Sequence, residues 1–537
     1  MKILKAIKYL LLFYVPFLLS VLTLFSGSLL LINGVYPENQ IILNFLFEIF
    51  PEKVIFLSKY FTNITAILLI VMSYGLFKKM ERAWVLSNFI LVISIFLLLL
   101  KGINYLECLV LIVVLVISLL SKDYFYRKGS LLKMNVSKIW LFYFFALIII
   151  LTIIGFSIHI DVPYDNSLWW NFSHNHNVFI FLHSILMGGL VILYYLGILF
   201  FKPFEVDSVE TNIDKEEIKE ILSHFNSSRG YFSLLSDKKF LLTDNRDGFI
   251  MYGTTKNNYI SLGDPICHQE DIPILLDKFN NLGRMNDKNI AFYEIDESYL
   301  KYYLNLGLKV IKIGEEAVVD ISSFSLEGSK NKKLRYTNNK LSKEGLKFEI
   351  IYDLESVLNQ LKDISDEWLN TKKTREKGFS LGLFDKDYLK NFPIAILYYN
   401  DEIIAFSNVL LTKDKKEISI DLMRYSNKAP SNTMEFLFIQ IILWAQEEGY
   451  KRFSLGMAPL SGIETSMYAN FWNRYAGYIY ENSDTYYNFE GLKKFKNKFF
   501  PEWNSKYIAY SGNFSLLQLL LDITSLVSGG VLKVLKK

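Results

Sequence analysis

The feature that most constrains this chain is the spacing of its apolar stretches up to residue 201. Crossing the hydrocarbon core of a bilayer takes roughly 20 apolar residues. Six stretches reach or approach that length, at about 9–32, 57–77, 84–100, 104–120, 138–157 and 178–201. The third and fourth are short and close, and predict a tight hairpin around Lys101–Asn104. Residues 41–50 are too few to cross, carry Glu48 and end at Pro51, which predicts an interfacial or re-entrant piece. The first stretch is too long for a cleavable signal peptide and no small-residue cleavage site closes it. A helical membrane bundle of about six spans, residues 1–202, is therefore expected.

Orientation follows from Lys and Arg in the short loops. The N-terminus carries Lys2, Lys5 and Lys8, the loop after the second span Lys78, Lys79 and Arg82, and the loop after the fourth Lys122, Arg127, Lys128, Lys133 and Lys138. With six spans these fall on one side. The N-terminus and everything after Phe201 are then cytoplasmic, in a multi-pass protein of the cell membrane. The loop 158–177 has neither Lys nor Arg but holds His159, Asp161, His174 and His176 beside Trp169 and Trp170. Its spacing fits an interfacial aromatic belt better than a metal site, and no metal is expected.

From Lys202 the composition changes. The net charge of the whole chain is only +4, so no global basic field marks a nucleic-acid binder. Cys108 and Cys267 lie in different halves, which argues against a disulfide framework. Alternating apolar patterns predict strands at 239–243, 248–254, 258–263, 290–295 and 308–320, with helices at about 214–226, 271–286 and 297–306 between them. A second α/β unit follows, with strands near 347–352, 393–399, 402–411, 416–425 and 452–456 and helices near 354–370 and 432–448. Ser431, Asn432 and Thr433 offer cap oxygens to the last helix, Glu435 its first turn and Gly449 its C′ position. The repetition suggests a duplication, with subdomains at 203–329 and 330–537. The tail 514–537 is apolar on most faces and ends in lysines. It fits either the lipid headgroup zone or a packed helix.

Several long segments then point to one family. FSLGLFDKDYL (379–389), ISIDLMRYS (418–426), MEFLFIQIILWAQEEGYKRFSLGMAPLSGIE (434–464), FWNRYAGYIY (471–480) and YYNFEGLKKFKNKFFPEW (486–503) resemble the phosphatidylglycerol lysyltransferases, the multiple peptide resistance factor family. So do YFSLLSDKKFLL (231–242), FIMYGTTKNNYISLGDPI (249–266) and KKLRYTNNKLSKEGLKFEI (332–350). The resemblance covers nearly all of 205–530. It implies two tandem acetyltransferase-like (GNAT) folds. It implies transfer of lysine, or in relatives alanine, from charged tRNA to phosphatidylglycerol, with resistance to cationic antimicrobial peptides as the consequence. The expected partners are an aminoacyl-tRNA, lysyl-tRNA first, phosphatidylglycerol and membrane lipid, with room for a homo-oligomer. Full-length members of the family carry more spans, associated with flipping the product lipid, so six spans imply the synthase part rather than the flippase.

The residues support a donor other than CoA. A pyrophosphate site needs a glycine-rich turn at a helix N-terminus. Here the turn before 432–448 reads SNKAPS, without glycine and with Pro430 lacking an N–H. No Walker loop occurs. No cofactor is expected. Aminoacyl-tRNA is already an activated ester, so the site must align a hydroxyl, stabilise an oxyanion and hold an ammonium. Asp421 is expected to bind the ammonium and Arg424 a phosphate or the oxyanion, or the two form a surface salt bridge. Strand alternation places them on opposite faces unless the strand bulges. The resemblance favours Lys496 in the stretch FKNKFF, with Lys498 beside it, against a solvated basic face. Glu464, Asn473 and Arg474 are further substrate-binding candidates. Lysine specificity would need a second carboxylate, from Glu464, Asp484 or Glu490. The basic segment with Lys330, Lys332, Lys333, Arg335, Lys340 and Lys343 is either a tRNA or anionic-lipid contact or an amphipathic helix between the two units.

Two other readings compete with lipid lysylation. One is amino-acid transfer to a peptidoglycan precursor, and the other a lipid transporter or scaffold.

Overall fold

The structure, a computed structural model, describes residues 2–33, 40–102, 105–125, 213–286, 288–372, 374–464, 489–511 and 516–528, with isolated positions at 146, 149, 150 and 153. The chain divides into two compact units. One is Met1–Asp207 with Arg284–Asp287, the other Ser208–Gly283 with Lys288–Lys537.

The first unit contains α1 (Lys2–Asn33), α2 (Gln40–Ile49), α3 (Glu52–Phe77), α4 (Glu81–Gly102) and α5 (Tyr105–Leu120). Among the described residues, three segments are long and apolar enough to cross a membrane: Tyr14–Ile32, Tyr60–Phe77 and Glu81–Leu100. They coincide with the first three expected spans. The expected span at 104–120 is the 16-residue α5, a shorter apolar helix. The expected spans at 138–157 and 178–201 lie outside the described residues apart from the isolated positions, as do the loop 158–177 and the linker 203–212. Packing follows side-chain size. Gly27 lets α1 approach α3 so closely that an added Cβ would lie 2.7 Å from the Ala66 carbonyl oxygen. Polar groups that would be orphaned in lipid bond inward: Ser20 donates to the Ser73 carbonyl and the Trp84 indole to the Ser118 carbonyl. Large apolar side chains, among them Phe25, Phe89 and Phe96, remain exposed on the outer faces, as a lipid-facing surface requires.

Among its described residues, the second unit is built on one sheet of eleven strands. They are β1 (Lys239–Leu242), β2 (Phe249–Thr254), β3 (Asn258–Leu262), β4 (Asn289–Asp296), β5 (Lys309–Asp320), β6 (Lys347–Ile351), β7 (Ile394–Tyr399), β8 (Glu402–Leu411), β9 (Glu417–Tyr425), β10 (Arg452–Pro459) and β11 (Glu502–Tyr510). Its helices are α6 (Lys215–Ser223), α7 (Ile272–Met285), α8 (Leu300–Asn305), α9 (Lys332–Lys343), α10 (Leu358–Thr371), α11 (Lys386–Leu389), α12 (Thr433–Glu447), α13 (Phe489–Asn497) and α14 (Leu516–Ser528).

The strand order is β1-β2-β3-β4-β11-β5-β10-β9-β8-β7-β6. Two motifs repeat. An antiparallel run β1-β2-β3 meets β4 in parallel, and an antiparallel run β7-β8-β9 meets β10 in parallel. The closing strands are exchanged between the two. β11, last in the chain, pairs with β4, while β5 pairs with β10, and β5 and β11 pair with each other at the centre. Residues 330–537 thus supply a strand to the sheet of the first repeat.

Side-chain alternation sorts the sheet into cores. One face buries Phe249, Leu262, Ile396, Phe406, Tyr388, Leu422 and Ile508 together with Leu519 and Ile523 of α14. α12, apolar on most sides, packs with Leu334 and Leu341 of α9 over Ile404, Val409, Ile418 and Phe453. α7 and α8 cover Tyr252, Tyr259 and Phe292.

Two local expectations change. The N-cap of α12 is Asn432 in a left-handed conformation (φ 69°) with no side-chain cap bond, and the Thr433 hydroxyl donates back to the Pro430 carbonyl. Glu435 stands in the first turn as expected, where it is buried and accepts from Thr337 and Lys498. β11 and α13 were not foreseen. Gly449 does follow the helix with φ 85°, as a C′ residue should. Of the tail, α14 packs on the domain, where the Asp522 carboxylate accepts from Thr255 and Asn258. Its Leu517 and Leu521 stay exposed.

Candidate active site

The parallel ladder between β9 and β10 runs only from Glu417↔Arg452 to Ser419↔Ser454. Beyond it β9 continues to Tyr425 and β10 to Pro459. The two strands separate, and polar backbone meant for a ladder faces an opening instead. Both strands are irregular there. On β9, Ser407 of β8 pairs with Met423 and Val409 with Ile420, so Asp421 and Leu422 oppose the single residue Asn408. On β10, Leu455 and Gly456 oppose the single residue Ala317 of β5, with Gly456 at φ 80°.

The β9 bulge corrects the expectation that Asp421 and Arg424 lie on opposite faces. An extra residue shifts the alternation by one. Ile420 and Met423 lie on the α12 side, while Leu422 joins the other core with Tyr388. Asp421 and Arg424 therefore share one face, under the segment 376–388. Asp421 accepts from the Gly382 backbone N–H (2.7 Å) and the Tyr388 hydroxyl (2.8 Å). A Cβ on Gly382 would fall 1.7 Å from Asp421 Oδ2, so only glycine allows this approach. Burial pushes the Asp421 carboxyl up to about 6, against the pull of Tyr388, Gly382, Lys238 and Arg424.

Arg424 stacks on the Trp368 ring of α10, 4.2 Å from its centroid, and pairs with Glu376 (3.2 Å). Its Nε is buried without a hydrogen-bond partner, as is Nδ2 of Asn408. Burial lowers the Arg424 pKa, with Glu376 and Asp421 opposing.

Lys496 sits in the last turn of α13, not on a solvated face. Its ammonium is buried and donates to the Gly456 (2.8 Å) and Met457 (2.9 Å) carbonyls, on the other strand of the opening. Burial lowers its pKa to about 8, against Glu316 and Glu294. A buried carboxylate that ionises near 6 and a buried amine that titrates near 8 thus flank the separated strands. That combination is typical of a reaction site.

The remaining candidates spread out. Lys498 pairs with Glu435 on the α12 side of the sheet. Glu464 is exposed, just beyond β10. Asn473, Arg474 and Asp484 lie outside the described residues. Glu490 bonds to Lys494 within α13. The basic segment forms the amphipathic helix α9, which buries Leu334, Thr337 and Leu341 and exposes Lys332, Lys333, Lys340 and Lys343. Lys330 stacks on Phe500, and Lys340 also meets Glu344. Arg335 is turned away from that surface. It donates to the Leu326 and Gly328 carbonyls, so it holds a loop rather than joining the basic face.

Sequence reasoning missed Gly382, Tyr388, Asn408, Trp368, Glu376 and the pair Asp237–Lys238. Gly382 and Tyr388 lie in the segment 379–389 that carried the family resemblance, which was the available signal.

A second opening lies where β3 and β4 end. The ladder runs from Asn258↔Asn289 to Leu262↔Tyr293, and then the Asp264 carboxylate accepts from the Asp296 N–H and the Tyr303 hydroxyl. β4 bulges at Glu294, which has φ 62°. Here the space is filled by charge. Arg229 donates to the Glu294 carbonyl and pairs with Glu294 and Glu316 (3.4 and 3.5 Å), and Lys506 joins Glu316 to Asp296. Burial works against the ionised form of Glu316, but Arg229 and Lys506 hold it at about 2. A residual cavity of about 230 Å³ borders Arg229, Asp264, Asp296 and Tyr299.

Apolar helices of membrane-crossing length and an α/β domain with a buried carboxylate and a buried amine beside separated parallel strands place the chain among membrane proteins that carry an α/β domain. The family model described as "Phosphatidylglycerol lysyltransferase, C-terminal" matches residues 219–510. The chain belongs to that family. It is 32% identical over 490 residues to a phosphatidylglycerol lysyltransferase of Bacillus subtilis, covering 89% of this chain and 56% of that protein. It is 35% identical over 315 residues to one of Staphylococcus xylosus, covering 58% and 37%. The chain thus spans about half the length, or less, of these curated relatives. The solved structure of L-PGS from Bacillus licheniformis matches 60% of this chain and 99% of its own, with 33% identity and a TM-score of 0.53.

Proposed function

We propose that this protein transfers a lysyl group from lysyl-tRNA to phosphatidylglycerol at the cytoplasmic face of the membrane. The carrying observation is that Asp421 and Arg424 share a face of β9 beyond the end of its ladder with β10, and that Lys496 is buried against the Gly456 and Met457 carbonyls of β10, in a chain whose relatives are named for this reaction. A glycerol hydroxyl of the lipid attacks the ester carbonyl of the lysyl-tRNA. A new C–O bond forms, the bond to the ribose oxygen breaks, and the hydroxyl proton ends on that oxygen. Ionised Asp421 holds the α-ammonium. Arg424, with its unpartnered Nε, takes the developing oxyanion or a lipid phosphate. Lys496, as an ammonium, contacts the ester or the phosphate. No cofactor enters this scheme, because the donor is already activated.

The repeated strand pattern supports reading the domain as two tandem acetyltransferase-like units, 203–329 and 330–537, that exchange their closing strands. The exposed lysines of α9 would meet tRNA phosphates. Adding lysine turns a lipid of charge −1 into one of +1, and a surface so changed repels cationic peptides.

The test is expression in a host without aminoacyl lipids, followed by lipid extraction and mass spectrometry. Lysyl-phosphatidylglycerol is expected. No new lipid would sink the proposal. In vitro assays with separately charged tRNAs check lysine against alanine.

A further inference from the structure

Asp237 and Lys238 lie immediately before β1, in the first repeat of the sheet, yet they bear on the carboxylate of the second. Lys238 is almost wholly buried, and its ammonium donates to Asp237 Oδ1 (2.6 Å). Asp237 Oδ2 accepts from the backbone N–H of Phe379 (2.5 Å). Phe379 is itself unusual: an aromatic residue at φ 60° with a buried ring, and Lys238 lies 5.8 Å from the centroid of that ring. A bulky residue in the left-handed region is strained and persists only where its surroundings fix it. Three things fix this one. Asp237 takes its N–H, the Gly378 N–H donates to the Val527 carbonyl at the end of α14, and the Phe379 ring lies beside Leu526 against Gly253. Three residues after Phe379, the Gly382 N–H reaches Asp421.

We infer that the Asp237–Lys238 pair is a positioning element for Asp421. It sets the turn that delivers the Gly382 N–H and places the buried Lys238 ammonium, neutralised by Asp237, near the carboxylate. The inference rests on the proposed role of Asp421, but it concerns how that carboxylate is held and not what it binds. The groups facing Asp421 are Tyr388 from α11, Gly382 from the turn, Arg424 from its own strand with Glu376 behind it, and Lys238 with Asp237 behind it.

The two members of the pair act with opposite sign. Lys238→Met removes a cation that favours ionised Asp421, so the carboxyl should titrate about one unit higher. Asp237→Asn removes the anion that neutralises Lys238, so Asp421 should titrate lower, by about half a unit. A merely structural role would not give opposite shifts. The readout is isotope-edited infrared difference spectroscopy on the full chain in nanodiscs, with the Asp421 band identified by its loss in Asp421→Asn. The acid limb of lysyl transfer should move with the band.

Unchanged midpoints in both variants, or shifts in one direction, would overturn the inference. If Lys238→Met does not accumulate folded, Asp237→Asn decides alone: a downward shift supports it, and no shift or an upward one overturns it. Wild-type protein that makes no lysyl lipid would sink the function proposal and leave the spectroscopic test standing.

Discussion

The two openings in this sheet share a layout and differ in what fills them. In each, a parallel pair of strands ends its ladder and one strand bulges through a left-handed residue. That residue is Glu294 in the first opening and Gly456 in the second. Glu294 has a carboxylate, and Arg229, Glu316, Lys506 and Asp296 close round it in a buried ionic network. Gly456 has no side chain, and its carbonyl is left for the Lys496 ammonium. In the first opening strong charges satisfy one another. In the second, Asp421 and Lys496 are held at shifted pKa values with Arg424 Nε unpartnered. The first opening is closed by its own charges, while the second keeps a buried guanidinium nitrogen without a partner.

The sharpest way to break the comparison is to mutate each opening in turn. Asp421→Ala should lower lysyl transfer by about 10³-fold and Arg424→Ala by about 10²–10³-fold, the range for losing one electrostatic contact to a transition state. Both proteins should stay folded. A product yield unchanged in either, measured by lipid mass spectrometry, would remove that residue from the site. Arg229→Met should do the reverse. It leaves buried Glu294 and Glu316 short of a cation and should destabilise the domain by about 3 kcal/mol. Turnover per folded molecule should change less than about tenfold. Denaturant unfolding followed alongside activity separates the two outcomes.

Gly382→Ala probes the shared face directly. The added methyl meets Asp421 Oδ2, so activity should fall by about 10–100-fold without loss of fold. The pH dependence follows from the two shifted groups. The Asp421 pKa is raised to about 6, so its ionised form, needed to hold an ammonium, is lost as pH falls through 6. The Lys496 pKa is lowered to about 8, so its cation is lost as pH rises through 8. The rate should therefore be bell-shaped between those values. A flat profile from pH 5 to 9 would contradict both assignments. The smallest expected effect is that of Lys498→Ala. Its partner Glu435 is buried but Lys498 is half exposed, so screening limits the loss to about 1 kcal/mol of stability. Lysyl transfer should not change.

Much of this architecture was legible in the chain because its strands are apolar on both faces or alternate cleanly, as in β2, β3, β7 and β8. β11 was not. Its sequence EWNSKYIAY places Lys506 where an apolar residue would be expected, and the reason is the pair with Asp296 and Glu316 supplied by distant strands. The same blindness hid Arg229 and Glu294, which read as surface charges until the sheet closes round them. Asp421, Arg424 and Lys496 could be named in advance, but not their common face. A one-residue bulge leaves no mark in the hydropathy pattern and reverses every side chain beyond it. Lys238 acts across the domain, and no local signal connects position 238 with position 421.

The exchanged strands have a consequence for how the protein is made. A chain leaving the ribosome has completed β4 and β5 by Asp320, but the strand that separates them begins only at Glu502. Until that strand arrives, β4 and β5 present the edges it will later join, and such edges are sticky. The central pairings also join residues nearly two hundred positions apart, which makes their closure slow. Newly made protein therefore depends on its last strand to reach its final sheet. A ribosome that stalls before Glu502 would release a chain without Lys506, so that the first opening lacks the cation that joins Glu316 to Asp296.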